Sequence, residues 1–192
     1  MPFNIPILLT WLRIILIPLM IAVYYVPSAW TQSVGRDLAA TVIFVVAAIT
    51  DWLDGYLARR WNETSAFGAF LDPVADKLMV AAALIILVQL DRVDAILASV
   101  IIGREITISA LREWMAQIGA HKSVAVSMIG KIKTTAQMIA IPMLLYHAPI
   151  YVVDMQRLGT WLIWLAAVLT LWSMGYYMRM AWPHLVEQDR KR

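Results

Sequence analysis

The sequence predicts an all-α integral membrane protein with six transmembrane helices and both termini on the cytoplasmic side, and three observations support that prediction. Of 192 residues, 61% are hydrophobic and 15% charged, with a mean hydropathy of +0.71, which leaves a soluble fold too little polar surface to cover itself. The apolar residues gather into six runs close to the ~20 residues that cross the hydrocarbon core of a bilayer. Lysine and arginine are also segregated. Arg36, Arg92 and Arg157 fall in one set of loops, while Arg13, Arg59, Arg60, Lys77, Arg104, Arg112, Lys122, Lys131, Lys133, Arg179, Arg190, Lys191 and Arg192 lie at or near the opposite helix ends. The positive-inside rule places that second set, and both termini, in the cytoplasm.

Taken in order, the expected helices cover 5–26, 38–60, 73–90, 94–115, 124–146 and 158–179. The first run is long, lacks a basic leader and is interrupted by Arg13, so it reads as an uncleaved span. Connections fall at 27–37, 62–71, 91–94, 117–123 and 147–157, several of them marked by Pro or Gly. No linker is long enough to separate two domains, so residues 1–182 read as a single membrane domain. Residues 183–192 read as a short cytoplasmic tail, interfacial or disordered. Nine Trp and seven Tyr suit the membrane interface, and the absence of Cys removes disulfides and thiolate chemistry. The net charge of +3 has a topological origin and does not call for nucleic acid. Asn62-Glu63-Thr64 is a formal glycosylation sequon that is silent on the cytoplasmic side.

The stretch from Asp51 to Asp76 breaks this apolar pattern with four aspartates. Ionisable residues inside membrane segments usually mark function, because carboxylates beside hydrocarbon are costly. At 100° per residue, Asp51, Asp54, Gly55 and Ala58 share about 100° of arc, so two carboxylates lie on one face with two small residues. Asp72 and Asp76, at i and i+4, share a face of the next helix, whose first helical residue is expected to be Pro73. An N-cap at Asp72, a turn at Asp54-Gly55 and snorkelling by Arg59 and Arg60 each explain one residue. None of them explains why four acids enter one hairpin. Four oxygen donors without nearby His or Cys suit two hard divalent cations, Mg²⁺ or Mn²⁺, and Arg59 is placed to hold a phosphate.

The pattern Asp51-x2-Asp54-Gly55-x2-Ala58-Arg59-x8-Gly68-x3-Asp72-x3-Asp76 resembles the signature of the CDP-alcohol phosphotransferase family, with every fixed position occupied. The resemblance implies a bacterial inner-membrane enzyme, a homodimer, with its active site at the cytoplasmic face. It implies that Asp51, Asp54, Asp72 and Asp76 bind two divalent cations and that Asp76 is also the general base. It further implies that Gly55, Ala58 and Gly68 make room for the cytidine nucleotide and that Arg59 contacts its diphosphate. The expected donor is CDP-diacylglycerol, held among membrane lipids, and CMP is the leaving group.

Residues outside the motif bear on the acceptor alcohol. Arg104 and Arg112 lie within about 80° of each other on the fourth helix, and Lys131 and Lys133 open the fifth about 200° apart, so only one of that pair faces the site. A basic lining suits an acceptor that itself bears phosphate. These segments, with Asn4 to Arg13, resemble the branch whose acceptor is sn-glycerol 3-phosphate. Phosphatidylglycerol, serine and inositol phosphate are the competing acceptors. From another class, a cation transporter would explain the acids but gives Arg59 no role. Gly130-Lys131 lacks the rest of a P-loop, His121-Lys122-Ser123 lacks phospholipase D spacing, and no two glycines stand four apart.

Overall fold

The computed structural model describes residues 5–27, 33–61, 66–118 and 128–190. Six helices account for almost all of them: α1 (Ile5–Val23), α2 (Ser33–Trp61), α3 (Ala66–Gln89), α4 (Ala95–Gln117), α5 (Met128–Tyr146) and α6 (Met155–Arg190). Among the described residues the only extended pairing is an isolated bridge between Ile150 and Val153, in the turn before α6.

α3 is the hub of the bundle, touching α1, α2, α4 and α5. Its sequence explains why. Ala75, Met79, Ala82, Ala83, Leu84 and Leu87 are all buried, and a helix enclosed by neighbours on several sides needs apolar residues around most of its circumference. The small residues let other backbones approach, and Ala40 and Ala47 of α2 and Ala140 of α5 do the same from their side. Where α6 crosses α5, a Cβ added at Gly159 would lie 2.8 Å from Leu144 Cγ and 3.3 Å from the Ala140 carbonyl oxygen. Any side chain there would push the two helices apart.

One end of the bundle is tied by Arg92, in the tight turn between α3 and α4. Its Nη1 donates to the carbonyls of Leu144 at 3.2 Å and Leu145 at 2.7 Å, and its Nη2 donates to Asp37 Oδ2 at 2.6 Å. The Tyr24 hydroxyl donates to the other oxygen of Asp37 at 3.2 Å. Arg92 thereby satisfies carbonyls that the last turn of α5 leaves without intrahelical partners, and it links α5 to α2 and to the end of α1. Asp94 caps α4 by accepting from the amides of Ile96 and Leu97.

Large apolar side chains also face outward, among them Ile15, Ile49, Ile85, Ile106, Val168 and Trp172. Among the described residues two segments, Ser33–Leu57 and Met155–Trp182, are long and apolar enough to cross a membrane. The charged residues on α3, α4 and α5 keep those helices less apolar.

Three of the boundaries that differ from the sequence expectation are informative. α2 begins at Ser33, five residues early, because polar residues can extend a helix beyond its apolar stretch. α3 begins at Ala66, so Asp72 and Pro73 lie inside it and do not form its N-terminus. Proline also lies inside α1 at Pro18 and α5 at Pro142, and packed helices tolerate it where neighbours re-satisfy the backbone. α6 continues as helix to Arg190, where residues 183–192 were expected to be interfacial or disordered. The expected start of the fifth helix at 124 lies outside the described residues.

Candidate active site

The four aspartates leave on α2 and return on α3, and α1 draws them together. Thr10 and Arg13 stand three residues apart on one face of α1. The Thr10 hydroxyl donates to Asp72 Oδ1 at 2.6 Å. Arg13 Nη1 lies 2.7 Å from Asp51 Oδ1 and 2.5 Å from Asp76 Oδ1, and its Nη2 lies 2.5 Å from Asp54 Oδ2. The guanidinium is wholly enclosed. All four carboxylates therefore touch a single face of α1, and their exposure is graded: the Asp54 side chain is 4% accessible, Asp51 30% and Asp76 40%. Of these three, Asp76 is the most open to an incoming molecule.

Sequence reasoning gave neither Arg13 nor Thr10 a role in the aspartate cluster. The signal was available. Arg13 is the sole charged residue in α1, so the argument that singled out the aspartates applies to it with equal force.

Four carboxylates and one guanidinium leave the cluster strongly negative, and an all-oxygen donor set suits Mg²⁺ or Mn²⁺. Among the described residues no three acids share a point that would hold a metal ion, and the Arg13 guanidinium lies where Asp51, Asp54 and Asp76 approach one another. The donor chemistry fits divalent cations. The arrangement is the one in which an arginine neutralises part of the charge.

Beside the cluster opens a cavity of about 660 Å³, in the range of small-molecule sites. Asp51, Asp76 and Lys77 line one side, and Glu105, Arg112 and Gln137 are among its other walls. Lys77, Glu105 and Gln137 were not singled out from the sequence. Arg112 packs 5.1 Å over the ring of Tyr177 and donates to its hydroxyl at 3.2 Å, while its Nε has no partner. Arg104 turns to the same neighbour helix, donating from Nη2 to Ser173 Oγ at 2.6 Å. Ser173 and Tyr177 stand i and i+4 on α6, so Arg104 and Arg112 do share a face, and α6 is what that face meets.

Lys133 is buried and donates to Glu105, which also lies 3.7 Å from Arg104. A buried lysine depends on that carboxylate. Glu105→Gln is expected to lower stability by about 3 kcal/mol, and adding Lys133→Met to recover most of the loss. Thermal unfolding of the single and double variants in detergent measures both values, and a single variant as stable as the parent would contradict the pairing.

Of the residues expected to contact the nucleotide, Gly55 follows Asp54 on α2 and Gly68 lies buried in the first turn of α3. The side chains of Ala58, Arg59 and Lys131 lie outside the described residues.

A family model described as CDP-alcohol phosphatidyltransferase matches residues 3–172. Curated relatives from Escherichia coli (strain K12) and Shigella flexneri serotype 5b (strain 8401), each named CDP-diacylglycerol–glycerol-3-phosphate 3-phosphatidyltransferase, are 52% identical to the chain over 190 residues. The match covers 98% of this chain and 100% of each relative.

Proposed function

The chain belongs to the CDP-alcohol phosphatidyltransferase family and is a transferase, and from that premise we propose that it moves the phosphatidyl group of CDP-diacylglycerol to sn-glycerol 3-phosphate. The products are phosphatidylglycerophosphate and CMP, and the step belongs to phospholipid synthesis. The observation that carries this reading is the full-length 52% identity to relatives whose names give that donor and that acceptor. The cavity supports it, since Asp51, Asp76 and the Arg112 cation all line it.

In the proposed reaction Asp76 accepts the proton of an acceptor hydroxyl. The oxygen then forms a bond to the phosphorus that carries the lipid. The bond from that phosphorus to the oxygen bridging it to the cytidine phosphate breaks, and CMP leaves. Asp51, Asp54, Asp72 and Asp76 would hold two divalent cations, which supply positive charge to the transferring phosphoryl group. Gly55, Ala58 and Gly68 leave room for the nucleotide, and Arg59 contacts its diphosphate. Arg112, with Nε unpartnered, binds the phosphate of the acceptor. Arg104 and one of Lys131 and Lys133 complete the positive field around it.

The six helices cross a bacterial inner membrane, with both termini and the site on the cytoplasmic side. Outward-facing apolar side chains and thirteen basic residues near one set of helix ends support this orientation. A water-soluble acceptor and a lipid-anchored nucleotide can meet there. A homodimer is part of the same proposal.

The test is the purified protein in liposomes with CDP-diacylglycerol and a panel of glycerol 3-phosphate, serine, inositol phosphate and phosphatidylglycerol. CMP release is expected with glycerol 3-phosphate. Chelation is expected to lower the rate at least about 100-fold, with recovery on adding Mg²⁺ or Mn²⁺. A different preferred acceptor would overturn the acceptor assignment, and chelator-resistant turnover would overturn the metal assignment.

A further inference from the structure

Gln137 on α5 lines the same cavity as Asp51 and Asp76, is 4% exposed, and its side-chain oxygen makes no hydrogen bond. It stands one turn beyond Lys133 on the same face of α5. A buried amide oxygen without a donor costs about 1–3 kcal/mol, so its place in the wall of a substrate cavity points to a donor arriving with the substrate. Lys77, Ser109, Arg112 and Thr134 also line the cavity and carry donors, yet none of them hydrogen-bonds the Gln137 oxygen.

The acceptor supplies one. Glycerol 3-phosphate has two hydroxyls. One loses its proton to Asp76 and forms the new bond, and the secondary hydroxyl on the adjacent carbon keeps its proton. We propose that Gln137 Oε1 accepts a hydrogen bond from that non-reacting secondary hydroxyl, which makes Gln137 a residue that selects glycerol 3-phosphate over phosphate esters lacking it. The inference rests on the acceptor reading above and adds the group that recognises the acceptor's carbon skeleton, a contact separate from its phosphate.

Selection follows from the cost of an unmet polar group. A site built to bond a hydroxyl rejects an analogue without one far more strongly than an apolar pocket rejects an extra methylene. The probe is 3-hydroxypropyl phosphate, which keeps the reacting hydroxyl and the phosphate and lacks only the secondary hydroxyl. Wild-type enzyme in CDP-diacylglycerol liposomes is expected to favour glycerol 3-phosphate by about 100-fold or more in kcat/KM. Gln137→Leu and Gln137→Met, similar in volume and without the oxygen, are expected to compress that preference below about 10-fold. The compression comes from a loss with glycerol 3-phosphate while the analogue's kcat/KM stays within a few-fold. Gln137→Glu retains an acceptor oxygen and retains most of the preference.

Two variants guard against one failing to fold, and thermal unfolding checks both. A parallel fall with both substrates assigns Gln137 a structural role and overturns the inference, as does undiminished preference in the folded variants. Wild-type enzyme that ignores glycerol 3-phosphate overturns the acceptor reading itself, and this inference with it.

Discussion

Asp76→Asn is expected to abolish transfer, lowering turnover by about 10⁴-fold, while the protein stays folded. General-base catalysis contributes about 10²–10⁴, and an amide is also a poor ligand for a hard cation. Both losses fall on one residue. Folding is expected to survive because Arg13 keeps its contacts with Asp51 and Asp54, and because removing one carboxylate relieves repulsion in a cluster of four. The 40% accessibility of the Asp76 side chain means that the amide, isosteric with the acid, can be hydrated from the cavity. CMP release in liposomes and thermal unfolding measure the two halves of the expectation. Turnover above about 1% of wild type would remove Asp76 from the role of base.

Arg13→Met is expected to have the largest effect on stability. Arg13 is wholly buried and compensates three carboxylates at once. Breaking a buried ion pair by deleting one partner costs about 3–5 kcal/mol, because the other partner is left uncompensated. Arg13→Lys is expected to rescue only part of the loss, since an ammonium is a point charge and cannot span three carboxylates as a planar guanidinium does. The loss should depend on divalent cations. In chelator the unfolding temperature of Arg13→Met should fall well below that of the parent, and Mg²⁺ or Mn²⁺ should raise it by more than they raise the parent, since cations that bind only the folded state stabilise it. Equal unfolding temperatures in chelator would show that Arg13 is not the counter-charge of this cluster.

What the sequence revealed, and what it concealed, divides along a physical line. Six helices were legible because each carries an apolar stretch between polar, Pro- or Gly-marked breaks, even where charged residues interrupt it. Their ends were less so, because polar residues such as Asp37 and Asp72 lie within helices whose ends are set by tertiary packing, and Pro73 was read by its preference for helix starts. The aspartate faces were legible because helical periodicity fixes which side chains share a face. Periodicity does not say what the face meets. The shared face of Arg104 and Arg112 was inferred from spacing, and its partners Ser173 and Tyr177 lie 69 and 65 residues away. Arg13 was overlooked for a related reason. Its partners are on two other helices, and a rule that uses arginine to orient a chain does not ask which acids the arginine touches.

The clasp at Arg92 bears on the mechanics of the site. It fixes one end of the bundle, and about 20 Å of helix separates Asp76 from the end of α3 at Gln89, beside the clasp. A tilt of α3 of about 5° about that pinned end would carry the carboxylate end through about 2 Å. That is the scale on which hydrogen bonds are made and lost, so a fastening far from the chemistry sets how finely its geometry is held.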